Sequence, residues 1–360
     1  MLRPQKISER LENILFFTRS RPKNNPVRVW QFFHGSKFLG ALSIATSVTS
    51  FGSSLCYGTD LMELEILFFF CSALFTYGES IDFWNSRRRR LESVTVGLIA
   101  VAKSIESLSS KKILLKMERT THLCKLLVMV YSIDCILILL LFMIYPLQHG
   151  KLAADIPYLS HDKHIYYVLL CLEELLLAVG AVTYFSLLSY YIEVSVLLSC
   201  LYKILSANFE EGRVCCCIRI HQSLVEVSKM FQGLFSRSLS MFSGCFSALM
   251  VGLTCIVLLS EYPEPMFIVA LGTCFLAYYA VCYFSEHVAV SYEAVATAVY
   301  RSKWVDSNAQ IRMDLSLVIL MSQKNLYWKA GIFGELKRSQ YITVLNRWYQ
   351  TVQAILNLSK

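Results

Sequence analysis

Long apolar stretches separated by charged ones organise the chain. They run near residues 38–57, 63–83, 126–146, 164–200, 239–260, 265–286 and 339–358. A helix rises about 1.5 Å per residue, so about 20 apolar residues cross a hydrocarbon core of about 30 Å. The pattern predicts an all-α membrane protein with seven transmembrane helices. The fourth stretch is too long for one crossing, and its helix is expected to continue beyond the membrane. The last stretch breaks the pattern. Ser339, Thr343, Asn346, Gln350, Gln353 and Asn357 recur at steps of 4, 3, 4, 3 and 4, which puts them on one helix face. Polar groups in hydrocarbon are costly unless satisfied, so this face must meet water, a partner helix or both.

Charge sets the direction of the spans. Of 360 residues 55% are hydrophobic and 17% charged, against roughly 25% charged in an ordinary soluble domain. Apolar segments deep inside the chain are not a cleaved leader. Segments 1–37, 84–122, 201–237 and 287–338 together hold 29 Lys and Arg, while the opposite side holds Lys151 and Lys163. Basic segments stay in the cytoplasm, which predicts a cytoplasmic N-terminus and an extracellular C-terminus. The run Arg87–Arg90 reads as a topology anchor in a cytoplasmic loop, and the net charge of +8 carries no nucleic-acid reading. The expected divisions are a cytoplasmic arm (1–37), a bundle of six spans (38–286), a cytoplasmic helical anchor (287–338) and a last span (339–360).

Candidate chemistry is sparse. Most of the 13 cysteines fall in apolar runs and read as small hydrophobes. Cys215, Cys216 and Cys217 form a run in an expected basic loop. Metal sites usually need spaced pairs, so no metal is expected there, and lipid modification of these thiols stays open. His161, Asp162 and His164 are weak spacing for a metal. No phosphate loop, Ser/His/Asp set or paired-carboxylate arrangement is found, so no enzyme and no cofactor is expected.

The segment SYEAVATAVYRSKWVDSNAQIRMDLSLVILMSQKNLYWKAGIFGEL, residues 291–336, carries Tyr300, Ser302 and Trp304, then Gln323, then Ala330-Gly331-Ile332-Phe333 before the final span. It resembles the insect odorant receptor family. The layout agrees: seven spans, an inverted topology, a long fourth helix and no tail after the last span. Lys324-Asn325 replaces a proline common in that family after the Gln323 position. Tyr349-Gln350 stands where the family often has an aromatic residue followed by Ser.

The resemblance implies a ligand-gated, poorly selective cation channel of four subunits with the last helix of each around one pore. It implies an odour-tuning subunit that assembles with a shared co-receptor in the plasma membrane of an olfactory dendrite. The pore positions are then Thr343, Asn346, Gln350, Gln353, Ala354 and Asn357. Read from the stripe alone, hydrogen bonding between helices remains open. The implied pocket for a small volatile apolar ligand, in the outer half of the bundle, matches Phe70, Leu74, Leu141, Tyr145, Cys171, Phe267, Leu271, Phe275 and Tyr278. Glu173 and Glu174 are expected to cap an outer vestibule. Trp304, Tyr327, Trp328 and Phe333 are the expected subunit interface, with Leu315, Val318 and Ile319. Arg347, in mid-span, is a functional-site candidate by its charge alone. The alternatives are a gustatory-type receptor channel, or a non-conducting seven-span receptor signalling through a cytoplasmic partner.

Overall fold

The computed structural model describes residues 61–109, 163–259, 265–302, 304–324 and 326–358, with positions 129 and 133. These form α1 (Leu61–Leu108), α2 (Lys163–Glu210), α3 (Val214–Leu259), α4 (Pro265–Arg301), α5 (Ala309–Ser322) and α6 (Arg338–Leu358), with short 3-10 turns at Trp304–Asp306 and Gly331–Phe333. Among the described residues the extended pairing is one antiparallel bridge, Lys329 to Glu335, and the all-α expectation holds. The span expected at 38–57 lies outside the described residues, as does that at 126–146 apart from positions 129 and 133.

Helices α1 and α2 have 48 residues each, about 72 Å and more than twice a bilayer core. Among the described residues three helical stretches, Thr183–Glu210, Val214–Leu258 and Phe267–Arg301, are long and apolar enough to cross a membrane. The sequence shows which part of each suits lipid. In α3 the charged residues Arg219, Glu226, Lys229 and Arg237 occupy the first half, and 238–259 carries none. In α4, 265–285 is uncharged and Glu286 begins the charged end. The helices therefore continue well outside the apolar slab.

This continuation replaces two expected loops. Arg87–Arg90 are turns of α1, since Arg is a good helix former. Arg87 Nη1 donates to the Leu234 carbonyl of α3, its guanidinium lies 5.6 Å from the Phe83 ring centroid, and Arg88 pairs with Glu92 at 3.5 Å. The segment expected to separate the fourth and fifth spans is two helices joined at 211–213. Gly212, at φ 85°, adopts the left-handed cap that glycine tolerates. Its N–H donates to Phe209 O and that of Arg213 to Asn208 O, at 3.0 and 3.1 Å, closing the end of α2.

The core follows from helical periodicity. Leu91, Val94, Leu98, Ala102 and Ile105 on α1 are buried at steps of three and four, as are Tyr191, Val194, Leu198, Leu201 and Leu205 on α2. Three buried tyrosines have their hydroxyls satisfied: Tyr190 with Thr95 at 2.9 Å, Tyr202 with Ser228 at 2.8 Å and Tyr191 with Val281 O at 3.2 Å. The chain after α5 threads into this core. Leu326, Trp328 and Ala330 are buried in alternation, the mark of an extended strand. Leu336 N returns to Trp328 O and Ala330 N to Gly334 O, both at 2.8 Å. The Trp328 indole meets Phe231 edge-on at 4.6 Å and Tyr191 at 5.1 Å.

His221, in the charged half of α3 outside the apolar slab, is fully buried. Its Nε2 lies 3.1 Å from Ser322 Oγ, and its ring stacks on Tyr292 at 5.9 Å. Burial pushes its pKa down to about 4.

Trp328→Ala empties a fully buried site and is expected to cost about 3–5 kcal/mol, read as a large drop in the melting temperature of the solubilised protein. Because the folded His221 resists protonation while the unfolded chain protonates near pH 6.5, its contribution is intact above that pH and declines towards about 4. Thermal stability should fall across this window, and His221→Gln, which cannot take the proton, should flatten the fall.

Candidate functional site

Helix α6 is anchored at both its start and its middle. Glu286, eight residues beyond Tyr278 on α4, accepts the Arg338 backbone N–H at 2.8 Å and two guanidinium bonds, from Nε and Nη2, both at 3.0 Å. A carboxylate here satisfies a free N–H of the first turn and complements the helix dipole. In mid-helix Trp348 Nε1 donates to Thr254 Oγ1 of α3 at 3.0 Å, and the indole meets Phe275 of α4 edge-on at 5.1 Å. Tyr341 lies 5.3 Å from Tyr279 and 6.1 Å from Tyr278.

These contacts fix which face α6 turns inward. Val344 and Val352 are buried, with Tyr341, Leu345, Trp348, Ile355 and Leu356 half-buried beside them. The opposite face is uncovered: Ser339, Thr343, Asn346, Gln350, Gln353, Ala354 and Asn357 are all exposed. The stripe that the sequence singled out is thus one continuous surface, and among the described residues its members do not hydrogen-bond to other helices. Thr343 Oγ1 donates only to its own helix, at Ser339 O, 2.9 Å away. Ile342 is exposed at 57% beside the stripe. Arg347 is exposed as well and forms no ion pair among the described residues.

Of the expected ligand positions, Phe267, Leu271, Phe275 and Tyr278 share one face of α4. Phe267 and Tyr278 are buried, and Leu271 and Phe275 half-buried. Phe275 and Tyr278 touch α6 directly. Cys171 is exposed on α2. The side chains of Phe70, Leu74, Glu173 and Glu174 lie outside the described residues, as do Leu141 and Tyr145.

The expected interface residues part company. Trp328 is fully buried within its own chain and has no surface left for a partner. Leu315 and Val318 likewise face inward at 0% and 2% exposure. Phe333 packs near Gly244, where a Cβ would sit 3.4 Å from its ring. Tyr327 is half-buried under the Lys337 ammonium at 5.5 Å, and Trp304 is half-buried against Tyr300 at 6.1 Å. The uncovered apolar residues of this region are instead Tyr300, Val305, Met313, Leu317 and Leu320, each at least half exposed. Met313, Leu317 and Leu320 step by four and three, a signal present in the sequence. It is hidden because α5 is apolar on both faces.

The three cysteines are helical, not in a loop. Cys215 and Cys216 are exposed in the first turn of α3, and Cys217 is buried. About 24 residues, or roughly 36 Å of helix, separate them from the uncharged half of α3.

Comparison with known proteins agrees with this architecture. The sequence matches the family described as 7tm Odorant receptor over residues 64–349. A search of curated proteins finds no match. Among solved structures, the insect olfactory receptor OR5 from Machilis hrabei superposes with a TM-score of 0.83 at 14% identity, covering 97% of each chain. The same receptor in complex with eugenol gives 0.82 at 14% identity, covering 98% of this chain and 97% of that one. At such identity the superposition speaks for the fold, and the family match spans most of the sequence: the chain belongs to the odorant receptor family.

Proposed function

We propose that the chain is the odour-tuning subunit of a heteromeric, odorant-gated, poorly selective cation channel in the plasma membrane of olfactory dendrites. In this reading it crosses the membrane seven times with its N-terminus inside, and assembles with a co-receptor subunit around one pore lined by α6. The observation that carries it is the division of α6 into an apolar face held by α3 and α4 and an uncovered polar stripe. Amide and hydroxyl dipoles at Thr343, Asn346, Gln350, Gln353 and Asn357 solvate passing cations without holding them, which suits weak selectivity. Ala354 is small for a dry constriction, so the co-receptor helix supplies most of the closure.

The ligand in this reading is a small volatile molecule in the outer half of the bundle, with Phe267, Leu271, Phe275 and Tyr278 as the α4 contribution. An apolar, aromatic lining with few polar groups suits such ligands. The eugenol complex of the Machilis hrabei receptor supports a small ligand in this family. Phe275 is the position of most interest, because its ring touches Trp348 of the pore helix.

Two measurements test this. Cells expressing the chain with an insect odorant co-receptor, challenged with an odour panel while G-protein signalling is blocked, should give rapid cation current that is absent with either chain alone. Surface-expressed protein that associates with the co-receptor yet passes no current would favour a non-conducting receptor. At the anchor, Trp304→Ala should reduce co-purification with the co-receptor several-fold while insertion stays normal, since large aromatics concentrate in interface cores. Unchanged co-purification would remove Trp304 from the interface.

A further inference from the structure

We propose that Arg347 faces the pore helix of a neighbouring subunit and selects against a ring built only from this chain. The partner it admits is a pore helix of different sequence, with a carboxylate or a cluster of carbonyl acceptors at that level. The inference rests on the pore reading of α6.

Successive residues of a helix are about 100° apart. Measured from the middle of the polar stripe, near Asn346 and Gln350, Arg347 lies about 80° to one side. Thr351 lies beyond it, next to the buried face. On the other side, at about 60–80°, stand Ile342 and Tyr349, exposed at 57% and 58%. α6 thus has three uncovered zones: a polar centre, a charged flank and an apolar flank. In a closed ring of like helices, contacts are heterologous, so one flank of each helix meets the opposite flank of the next. In a ring of identical chains, Arg347 would meet Ile342 and Tyr349.

That contact leaves the charge unanswered. α6 contains no Asp or Glu, and Arg347 has no ion-pair partner among the described residues of its own chain. It sits nine residues past Arg338, about 13 Å along the helix from the Glu286 clamp and near the middle of the span. The Tyr349 ring face attracts a cation, but desolvating a guanidinium at that depth costs more than a cation–π contact returns. Four such charges near one axis would also repel one another and the permeating cations. A neighbour with acceptors at this level removes both penalties. An identical α6 offers no carboxylate there.

The test uses the full-length chain, alone and with the co-receptor, followed by subunit counting and cross-linking of surface protein. Arg347→Gln, expressed alone, should raise the self-associated fraction roughly tenfold, about 1.4 kcal/mol of association, while Arg347→Lys follows the unmodified chain. Thr351→Ala, neutral and on the same flank, should leave self-association unchanged. If Arg347→Gln does not reach the membrane, Arg347→Met carries the same expectation. Self-association that is equal with and without the charge, in a chain that still conducts with the co-receptor, overturns the Arg347 assignment alone. An unmodified chain that neither co-purifies nor conducts with the co-receptor removes the channel reading and this inference with it.

Discussion

One carboxylate decides how α6 is presented. Glu286 accepts three hydrogen bonds from Arg338, one of them from the backbone, so it fixes the start of the helix and its rotation together. Rotation matters because α6 is strongly two-sided: a slip of one residue turns it by about 100°, enough to move Asn346 to the half-buried place of Leu345 and Val344 to the exposed place of Thr343. The pair is only partly buried, with Arg338 58% exposed, so solvent screens it and its net energy is small. Its consequence is geometric. Trp348 then holds the middle of the helix with one directed bond to Thr254, and two fixed points leave a rigid helix a single orientation.

The clamp depends in turn on how the chain arrives at Arg338. The segment after α5 could leave the bundle, but Trp328 is locked between α2 and α3. The return from Trp328 to Leu336 takes only eight residues. It is possible because Gly331 and Gly334 accept positive φ. At Gly331 space is a second constraint, since a Cβ would lie 2.5 Å from Ser240 Oγ. The buried tryptophan, a tight turn and a carboxylate on α4 thus form one chain of cause leading to the exposed stripe. Energy resides chiefly at the tryptophan, where burial is complete, and direction at the carboxylate.

Much of this was legible in the sequence, and the gaps have physical reasons. The polar stripe of α6 could be read because period and chemistry coincide. The inward face of α4 at Phe267, Leu271, Phe275 and Tyr278 was reached through the family resemblance. Helix ends were misread at Arg87–Arg90 and at 201–237, because hydropathy marks where lipid stops while the backbone ladder continues into water. The α2–α3 turn has one local sign, Gly212, inside an otherwise helical pattern. Trp328 was expected at an interface on residue type alone; an aromatic among apolar neighbours carries no mark of which surface it fills. α5 is the harder case. Ile311, Leu315, Val318 and Ile319 line one face and Met313, Leu317 and Leu320 another, so periodicity could not say which faces inward.

The same contacts make α4 the natural lever in the proposed channel. Phe275 touches Trp348, and eleven residues later, about 16 Å along the helix, Glu286 holds Arg338. A ligand that moved the inner face of α4 near Phe267 and Leu271 would act on α6 at both points, since a packed helix transmits displacement with little compression. Both contacts tolerate a small shift differently. The aromatic edge can slide, because dispersion falls off gradually, whereas the clamp's three bonds weaken steeply with angle. Motion of α4 would therefore tilt α6 about its inner end instead of translating it. The largest displacement would fall near Gln353, Ala354 and Asn357, farthest from the clamp, where the polar stripe ends.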